Sequence, residues 1–292
     1  MDAEAGQLFI VSTPIGNMGD FSFRAVEVLR SVALILAEDT RHSRPLLDRY
    51  EIATPMSSYH EHNEAKTAGR FVERLLAGES LALISDAGTP LLSDPGLRLV
   101  QAAVEAGVRV VPVPGASALL AALVASALPS ERFTFFGFLP RKGRDRAELF
   151  AEIASSRHTA VLYEAPLRVA DSLRELAGQV GDRPAVVARE LTKHFEEIRR
   201  GTLESLSAYY TDSPPRGEVV ILIAGAPLTA PDETALRDDA RALRAGGMSV
   251  RDVAAELARR GLARNAAYRV AREAADSRNA AGGNRQSDAP DE

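Results

Sequence analysis

The residues best able to do chemistry in this chain stand in short Gly- and Pro-rich segments, chief among them Ser85-Asp-Ala-Gly-Thr-Pro90. There Gly88 permits close backbone approach to a ligand, Pro90 stiffens the turn, and Asp86 can accept hydrogen bonds from a ligand or cap the turn itself. Thr13-Pro-Ile-Gly-Asn17 is neither a Gly-x-Gly-x-x-Gly fingerprint nor a Walker loop, which argues against dinucleotide and P-loop phosphate binding. Pro114-Gly-Ala-Ser-Ala118 opens a run of small residues that could admit a flat ligand or serve close helix packing. Glu38, Asp39, Glu190, Glu196 and Glu197 supply possible general bases, none in a spacing signature of its own. No Gly-x-Ser-x-Gly nucleophile elbow is present. His60-Glu-His-Asn63 lacks the helical i, i+4 pair of a zinc site, so a polar loop facing substrate is expected and no metal. Two basic segments, Arg141-Lys-Gly-Arg-Asp-Arg146 and Arg189-Glu-Leu-Thr-Lys-His194, read either as solvated surface or as phosphate-facing patches.

These segments need elements to hold them. Over residues 7–127, β-rich runs at Leu8–Ser12, Ala33–Ala37, Pro55–Tyr59, Leu81–Ser85 and Val108–Val113 alternate with helical stretches. The stretches are Phe21–Arg30, Ser43–Tyr50, Glu64–Ala77, Pro95–Ala106 and Ser117–Ala127. Such alternation signals a mostly parallel sheet covered by helices, and the special residues cluster after the strands, where open α/β sheets bind ligands. From Phe133 the pattern changes, with strands Phe133–Gly137, Ala160–Tyr163, Ala185–Arg189, Glu196–Gly201 and Val219–Ala224 closely linked at the end, as antiparallel pairing requires. The expectation is an α/β protein with an N-terminal domain over 7–128 and a mixed-sheet domain over 132–226. A helix-turn-helix-like module over 233–275 and a disordered tail over 276–292 complete it.

The 292 residues are 46% hydrophobic, contain no cysteine and carry a formal charge of −5. Disulfides, Cys-zinc sites and thiol catalysis are excluded, and nonspecific coating of nucleic acid is disfavoured. Only three of the 35 basic residues are lysines, Lys66, Lys142 and Lys193. The N-terminal residues lack signal-peptide character and the apolar runs are too short to span a bilayer, so a cytoplasmic protein without a membrane partner is expected.

Nine segments in register resemble the tetrapyrrole methylase superfamily. They are Ser12–Asn17, Ala37–Arg41, Tyr59–Asn63, Ser85–Pro90, Ser93–Gly96, Pro114–Ser117, Leu162–Pro166, Arg189–Lys193 and Gly217–Val220. Corrin and porphyrin members carry a Gly-x-Gly-Pro-Gly-Asp type of loop after the first strand, and Thr-Pro-Ile-Gly-Asn in its place favours an RNA substrate. The resemblance implies S-adenosylmethionine (AdoMet) in an interdomain cleft and methyl transfer to the ribose 2′-hydroxyl of a decoding-centre cytidine in 16S rRNA or the small ribosomal subunit. AdoMet would touch Pro14, Gly16, Asp86, Ala87, Gly88, Thr89, Ser117, Ala118, Tyr163, Glu164, Leu191, Ala224 and Gly225. Glu190 or Glu38 would be the base, and Arg41, His60, Asn63, Arg141, Lys142, Arg144 and Lys193 would face RNA. A homodimer is expected from the same resemblance. The competing expectations are a methylase of small molecules or proteins, and a non-catalytic AdoMet-binding assembly factor.

Overall fold

The computed structural model describes residues 5–227, 233–260 and 262–282. The chain divides into two compact units, Met1–Ala226 and Pro227–Glu292.

The first unit begins with β1 (Gln7–Val11), α1 (Phe23–Ser31), β2 (Leu34–Ala37), α2 (Thr40–Arg49) and β3 (Met56–Ser58). It continues with α3 (Glu61–Leu76), β4 (Leu81–Ile84), α4 (Leu97–Glu105), β5 (Arg109–Val113) and α5 (Ala118–Ser126). The five strands form one parallel sheet in the order β3-β2-β4-β1-β5. Along β2, Ile35 and Ala37 join the core under α1 and α2, while Leu34 and Leu36 join the core under α3 and α4. A strand covered on both faces must be apolar at every position, which is why β2 and β4 read as unbroken hydrophobic runs.

The chain then forms β6 (Phe133–Phe138), α6 (Arg144–Ser155), β7 (Thr159–Glu164), α7 (Val169–Val180) and β8 (Pro184–Arg189). It ends with β9 (Glu197–Thr202), α8 (Leu203–Asp212) and β10 (Val219–Ile223). The second sheet has the order β6-β7-β10-β8-β9. Only β6 and β7 are parallel, and β10 runs against both of its neighbours. Leu119, Ala122 and Leu123 of α5 pack on Val161, Val186 and Leu222 of this sheet, in one cluster with Ile15 from the loop after β1. That apolar seam joins the two sheets.

Two helices begin earlier than their sequence suggests. Asp39 caps α2, its carboxylate accepting the Arg41 N–H at 2.8 Å, so the helix opens at Thr40 instead of Ser43. His60 precedes α3, and its N–H donates to Asn63 Oδ1 at 3.0 Å. The segment His60–Asn63, read above as a substrate loop, is thus a helix cap and first turn.

The second unit contains α9 (Glu233–Ala245), α10 (Val250–Arg259) and α11 (Arg264–Gly282). Leu236, Ala240, Val253, Leu257, Ala267, Val270 and Ala271 form its core. Ser249 accepts the Asp252 N–H at 3.2 Å and donates to Asp252 Oδ2 at 2.6 Å, capping α10 as the Ser-x-x-Asp spacing suggests. Gly261 and residues 228–232, which precede the helical module, lie outside the described residues. Of the tail expected to be disordered, 276–282 continue α11 and 283–292 lie outside the described residues. Among the described residues no helix is long and apolar enough to cross a membrane.

Candidate active site

The loops after β1, β4 and β5 are stitched into one platform. The Thr13 N–H donates to Gly88 O at 2.8 Å and the Gly88 N–H to Thr13 O at 3.1 Å. The Thr13 hydroxyl donates to Ser85 O at 3.1 Å. Thr89 Oγ1 donates to Ala116 O and meets Ser12 Oγ, both at 3.1 Å. Gly88 has φ +83°, and a Cβ there would stand 3.2 Å from Ile15 Cγ2. The loop after β2 is tied in as well, since the Asp39 N–H donates to Asp86 Oδ1 at 3.1 Å. Side-chain and backbone bonds over four strand ends hold the platform flat and leave little freedom for rearrangement.

Against this platform lies a cavity of about 360 Å³, closed on the far side by Phe138, Tyr163–Pro166 and Gly217–Val220 of the second sheet. The direction of β10 explains that wall. Val219 pairs with Glu164 and with Arg189, so the start of β10 lies beside the ends of β7 and β8. Tyr163 is braced edge-on by Phe135 and Phe138, at ring-centre distances of 4.9 and 5.4 Å. Burial pushes its hydroxyl above the usual tyrosine range.

Five acidic residues line the same cavity, and three of them, Glu38, Asp86 and Asp94, come from the strand-end loops of the first sheet. Burial and the charge of Asp86 push Glu38 up, partly offset by the Asp86 backbone amide, His42 and His60. Burial and then the charge of Glu38 push Asp94 up to about 6, with the Ser85 hydroxyl opposing. Crowded, half-buried carboxylates of this kind become better proton acceptors near neutral pH. Asp94 is carried by a loop in which Leu91 and Ser93 both hold left-handed backbone, at φ +73° and +71°. Such conformations cost free energy in non-glycine residues and concentrate at functional sites. Ser117 lines the cavity, and its Oγ is buried without a hydrogen-bond partner.

The cavity brings together Asp86, Ala87, Gly88, Thr89, Ser117, Ala118, Tyr163, Glu164 and Glu38 of the expected site. Glu164 is there chiefly as framework. Its fully buried carboxylate accepts the Ser172 hydroxyl at 2.6 Å and the Ala165 N–H at 2.8 Å, with Arg168 at 3.4 Å. Pro14 and Gly16 face an adjoining hollow that shares Ile15, Asp86, Ala87 and Glu218 with the cavity. Leu191 is buried in the seam under α5. Ala224 and Gly225 do not line the cavity: they follow the end of β10, whose Ile223 pairs with Ala160 at the start of β7, a strand length away. An antiparallel strand presents its beginning where parallel ones present their ends, and Gly217–Glu218 take the expected place.

Glu190 also lies elsewhere. Its carboxylate accepts Lys193 Nζ at 2.9 Å and the Glu218 N–H at 3.1 Å, and it lies flat over Gly217, where a Cβ would clash at 2.0 Å. The Lys193 hydrogen bond holds Glu190 below the usual carboxylate range, which weakens it as a base. Lys193 is occupied in turn, binding Glu218 at 3.1 Å and packing over Gly16. Among the residues expected to face RNA, Arg41 clamps its own capping Asp39 through two hydrogen bonds of 3.1 and 2.9 Å. Asn63 donates to Ser58 O at 3.2 Å, and His60 sits at the same cap within the field of Glu38. Arg144 is exposed and pairs with Glu148 at 2.6 Å, whereas Arg141 and Lys142 are exposed beside it. Sequence reading passed over Asp94 as a site residue although Ser93-Asp-Pro-Gly96 was in view. The signal is a second turn after the same strand, Asp94-Pro95, and nothing local distinguishes it from an ordinary turn. Among the described residues no group of three or more His, Cys, Asp or Glu is placed to hold a metal ion.

The model of the tetrapyrrole (corrin/porphyrin) methylase family matches residues 7–207. A Synechocystis protein named ribosomal RNA small subunit methyltransferase I is 48% identical over 257 residues, covering 87% of this chain and 92% of the relative. One of the same name from Pseudomonas aeruginosa is 52% identical over 224 residues, covering 76% and 79%. Two solved structures share the fold at low identity. A diphthine synthase has TM-score 0.60 at 16% identity over 75% of this chain and 90% of its own. A uroporphyrin-III C-methyltransferase from Thermus thermophilus has TM-score 0.54 at 18% identity over 74% and 94%. Two sheets, the platform loops and the match over most of the length agree: the chain belongs to the tetrapyrrole (corrin/porphyrin) methylase family, in the group of relatives named ribosomal RNA small subunit methyltransferase I.

Proposed function

We propose that the cavity binds AdoMet and that the protein methylates the ribose 2′-hydroxyl of a decoding-centre cytidine in 16S rRNA. The observation that carries the reading is one cavity of about 360 Å³ lined by the platform loops, Tyr163 and the raised carboxylates Glu38 and Asp94. The names of the close relatives support ribosomal RNA as the substrate. Asp86, Ala87, Gly88, Thr89, Ser117, Ala118 and Tyr163 would hold AdoMet. When bound, AdoMet supplies an activated methyl group for in-line transfer to oxygen. The rigid platform positions that group, which is where most of the rate enhancement of a methyl transfer can originate. The Glu38–Asp94 pair accepts the proton that leaves the hydroxyl, a contribution of roughly 10²–10⁴ in rate. Glu190 serves as a positioning residue that ties Lys193 and the Gly217–Glu218 wall in place.

Residues 7–128 and 132–226 act as the two domains of the cleft, and 233–275 as an attached helical module. The protein works in the cytoplasm, where its rRNA is, as a homodimer. Exposed Leu120 and Val124 on α5 support pairing through that helix. Sedimentation giving a monomer at working concentration would remove the dimer. The function itself is tested by incubating the protein with labelled AdoMet and small subunits from cells lacking the modification, then mapping ribose methylation. Incorporation at a single cytidine is expected, and none on any rRNA overturns the reading.

A further inference from the structure

The second unit carries a face that neither its own packing nor the cleft uses. Residues 233–275 contain nine arginines against six acidic residues, a net of +3 in a chain whose total is −5. Four of these arginines are engaged in ion pairs. Arg241 pairs with Asp238, Arg259 with Glu256, and Arg260 with both Glu256 and Asp239. Arg237 lies 3.9 Å from Glu273.

On α11 the pattern is different. Ala267, Val270, Ala271 and Ala274 are buried, and the opposite side of the helix presents Arg264, Asn265, Tyr268, Arg269 and Arg272 to solvent. Residues at i, i+4 and i+8 form one stripe, so Arg264, Tyr268 and Arg272 stand in line over about 12 Å of helix. Among the described residues no acidic side chain pairs with Arg264, Arg269 or Arg272. Arg269 and Arg272 are like charges at i, i+3, an arrangement that works against the isolated helix. Tyr268 is 51% exposed in the middle of them, and an open hollow of about 500 Å³ lies against Asn265, Tyr268, Arg269, Arg272 and Glu273.

Unpaired arginines around an exposed aromatic ring form a surface for a polyanion that also offers flat rings. The guanidinium fork matches phosphate oxygens, and the phenol offers a stacking platform for an unpaired base. We propose that this face of α11 is an RNA-binding surface, with Arg264, Arg269 and Arg272 on backbone phosphates and Tyr268 against a base. The proposal rests on the reading of the protein as acting on ribosomal RNA, and it adds a contact made outside the cleft. Three phosphate contacts contribute a salt dependence of their own, because each neutralised phosphate releases a counterion.

The test uses the full chain with Arg264, Arg269 and Arg272 all changed to Gln, and separately with Tyr268→Ala. Affinity for protein-free 16S rRNA and for intact small subunits is measured across a salt series, alongside AdoMet affinity and thermal unfolding. The triple variant should bind both RNA forms at least 10-fold more weakly at moderate salt. Its slope of log K against log salt should be shallower by roughly 2–3. Tyr268→Ala should weaken binding without changing the slope. AdoMet affinity and the melting temperature should stay unchanged, and changing the three arginines to Lys should restore most of the slope. Unchanged RNA affinity and slope in the triple variant, in a protein that still methylates subunits, overturns this proposal and leaves the proposed function standing. Weaker binding to subunits with unchanged binding to bare RNA also overturns it, since the face would then meet a ribosomal protein. A wild-type protein that binds RNA through this face but methylates none would remove the proposed function alone.

Discussion

Thr13 and Gly88 exchange both of their backbone hydrogen bonds, at 2.8 and 3.1 Å, and so lock the loop after the first strand to the loop after the fourth. This bridge depends on a residue that tolerates φ +83° and leaves room for Ile15. Gly88→Ala adds left-handed strain and a methyl only 3.2 Å from Ile15 Cγ2. The expected cost is about 1–3 kcal/mol of stability. AdoMet affinity should fall at least 10-fold, because Ile15 and Gly88 both line the cavity. Calorimetric titration together with thermal unfolding checks this, and full affinity in a destabilised variant would show that the loop does not touch the cofactor.

Ser117 separates binding from stability in the opposite way. Its hydroxyl is buried without a partner, so Ser117→Ala removes an unsatisfied polar group and should leave the melting temperature equal or higher. If the cofactor satisfies that hydroxyl, the same change removes about 0.5–1.5 kcal/mol of binding, roughly 2- to 10-fold in Kd. An unchanged Kd would mean that the hydroxyl faces something else.

Much of this arrangement was legible in the sequence, for physical reasons that also mark its limits. Buried parallel strands must be apolar on both faces and end in turns, so β2 and β4 stand out from composition alone. Helix starts were harder, because Asp39 and His60 look like site residues but act as caps. The distance of Ala224 and Gly225 from the cavity has a different origin. Strand direction is a property of pairing, and nothing within Val219–Ala224 states that β10 runs against β7 and β8. Asp94 was invisible as a base for a related reason. Its raised pKa depends on burial and on Glu38, which approaches from a separate strand-end loop.

Asp94 should show a trade between activity and stability. Its folded value is raised from 3.8 to about 6, so the folded protein holds this proton more tightly than the unfolded chain does. The resulting destabilisation is absent at acid pH, grows between pH 3.8 and about 6, and is fully present above. Full burial would make it about 3 kcal/mol, and solvent screening of this half-buried group reduces it to ~1 kcal/mol. Asp94→Asn should therefore raise the melting temperature at pH 7 and not in strong acid. Its kcat should fall 10²-fold or more. Wild-type activity should rise with pH through about 6, with the Glu38–Asp94 pair titrating as a unit, and the variant should lose that limb. A variant with wild-type kcat and an unchanged profile would exclude Asp94 as proton acceptor.

Glu190→Gln distinguishes a base from a brace. A base replaced by an amide loses kcat, whereas a brace loses the Lys193 and Glu218 contacts and loosens the wall. The expected result is a modest loss of kcat, a larger rise in KM, and lower stability at neutral pH. Glu190 is held below its usual 4.5 in the folded state, so its stabilisation is present above that value and is lost as pH falls through the folded one. The stability deficit of the variant should therefore vanish in acid. Glu38→Gln, by contrast, should lower kcat with little change in KM. A collapse of kcat in Glu190→Gln at unchanged KM would reverse these assignments.

The basic turn after β6 contains arginines of two kinds, and substitutions should separate them. Arg146 is buried, bonding Glu175 at 2.7 Å, Pro140 O at 2.8 Å and Ser172 Oγ at 3.1 Å. Arg168 holds the same segment through Leu139 O and Pro140 O, at 3.1 and 3.0 Å. These two anchor the turn, and Arg141 and Lys142 project from it into solvent. Arg146→Ala leaves Glu175 and Ser172 without their donor and should cost about 1–3 kcal/mol of stability. Arg141→Ala and Lys142→Ala should leave melting and AdoMet affinity unchanged and weaken RNA binding alone, each lowering the salt slope by about 1. If Arg141→Ala and Lys142→Ala instead destabilise the fold, or leave RNA affinity and slope untouched, the turn is ordinary surface and the cleft meets its RNA elsewhere.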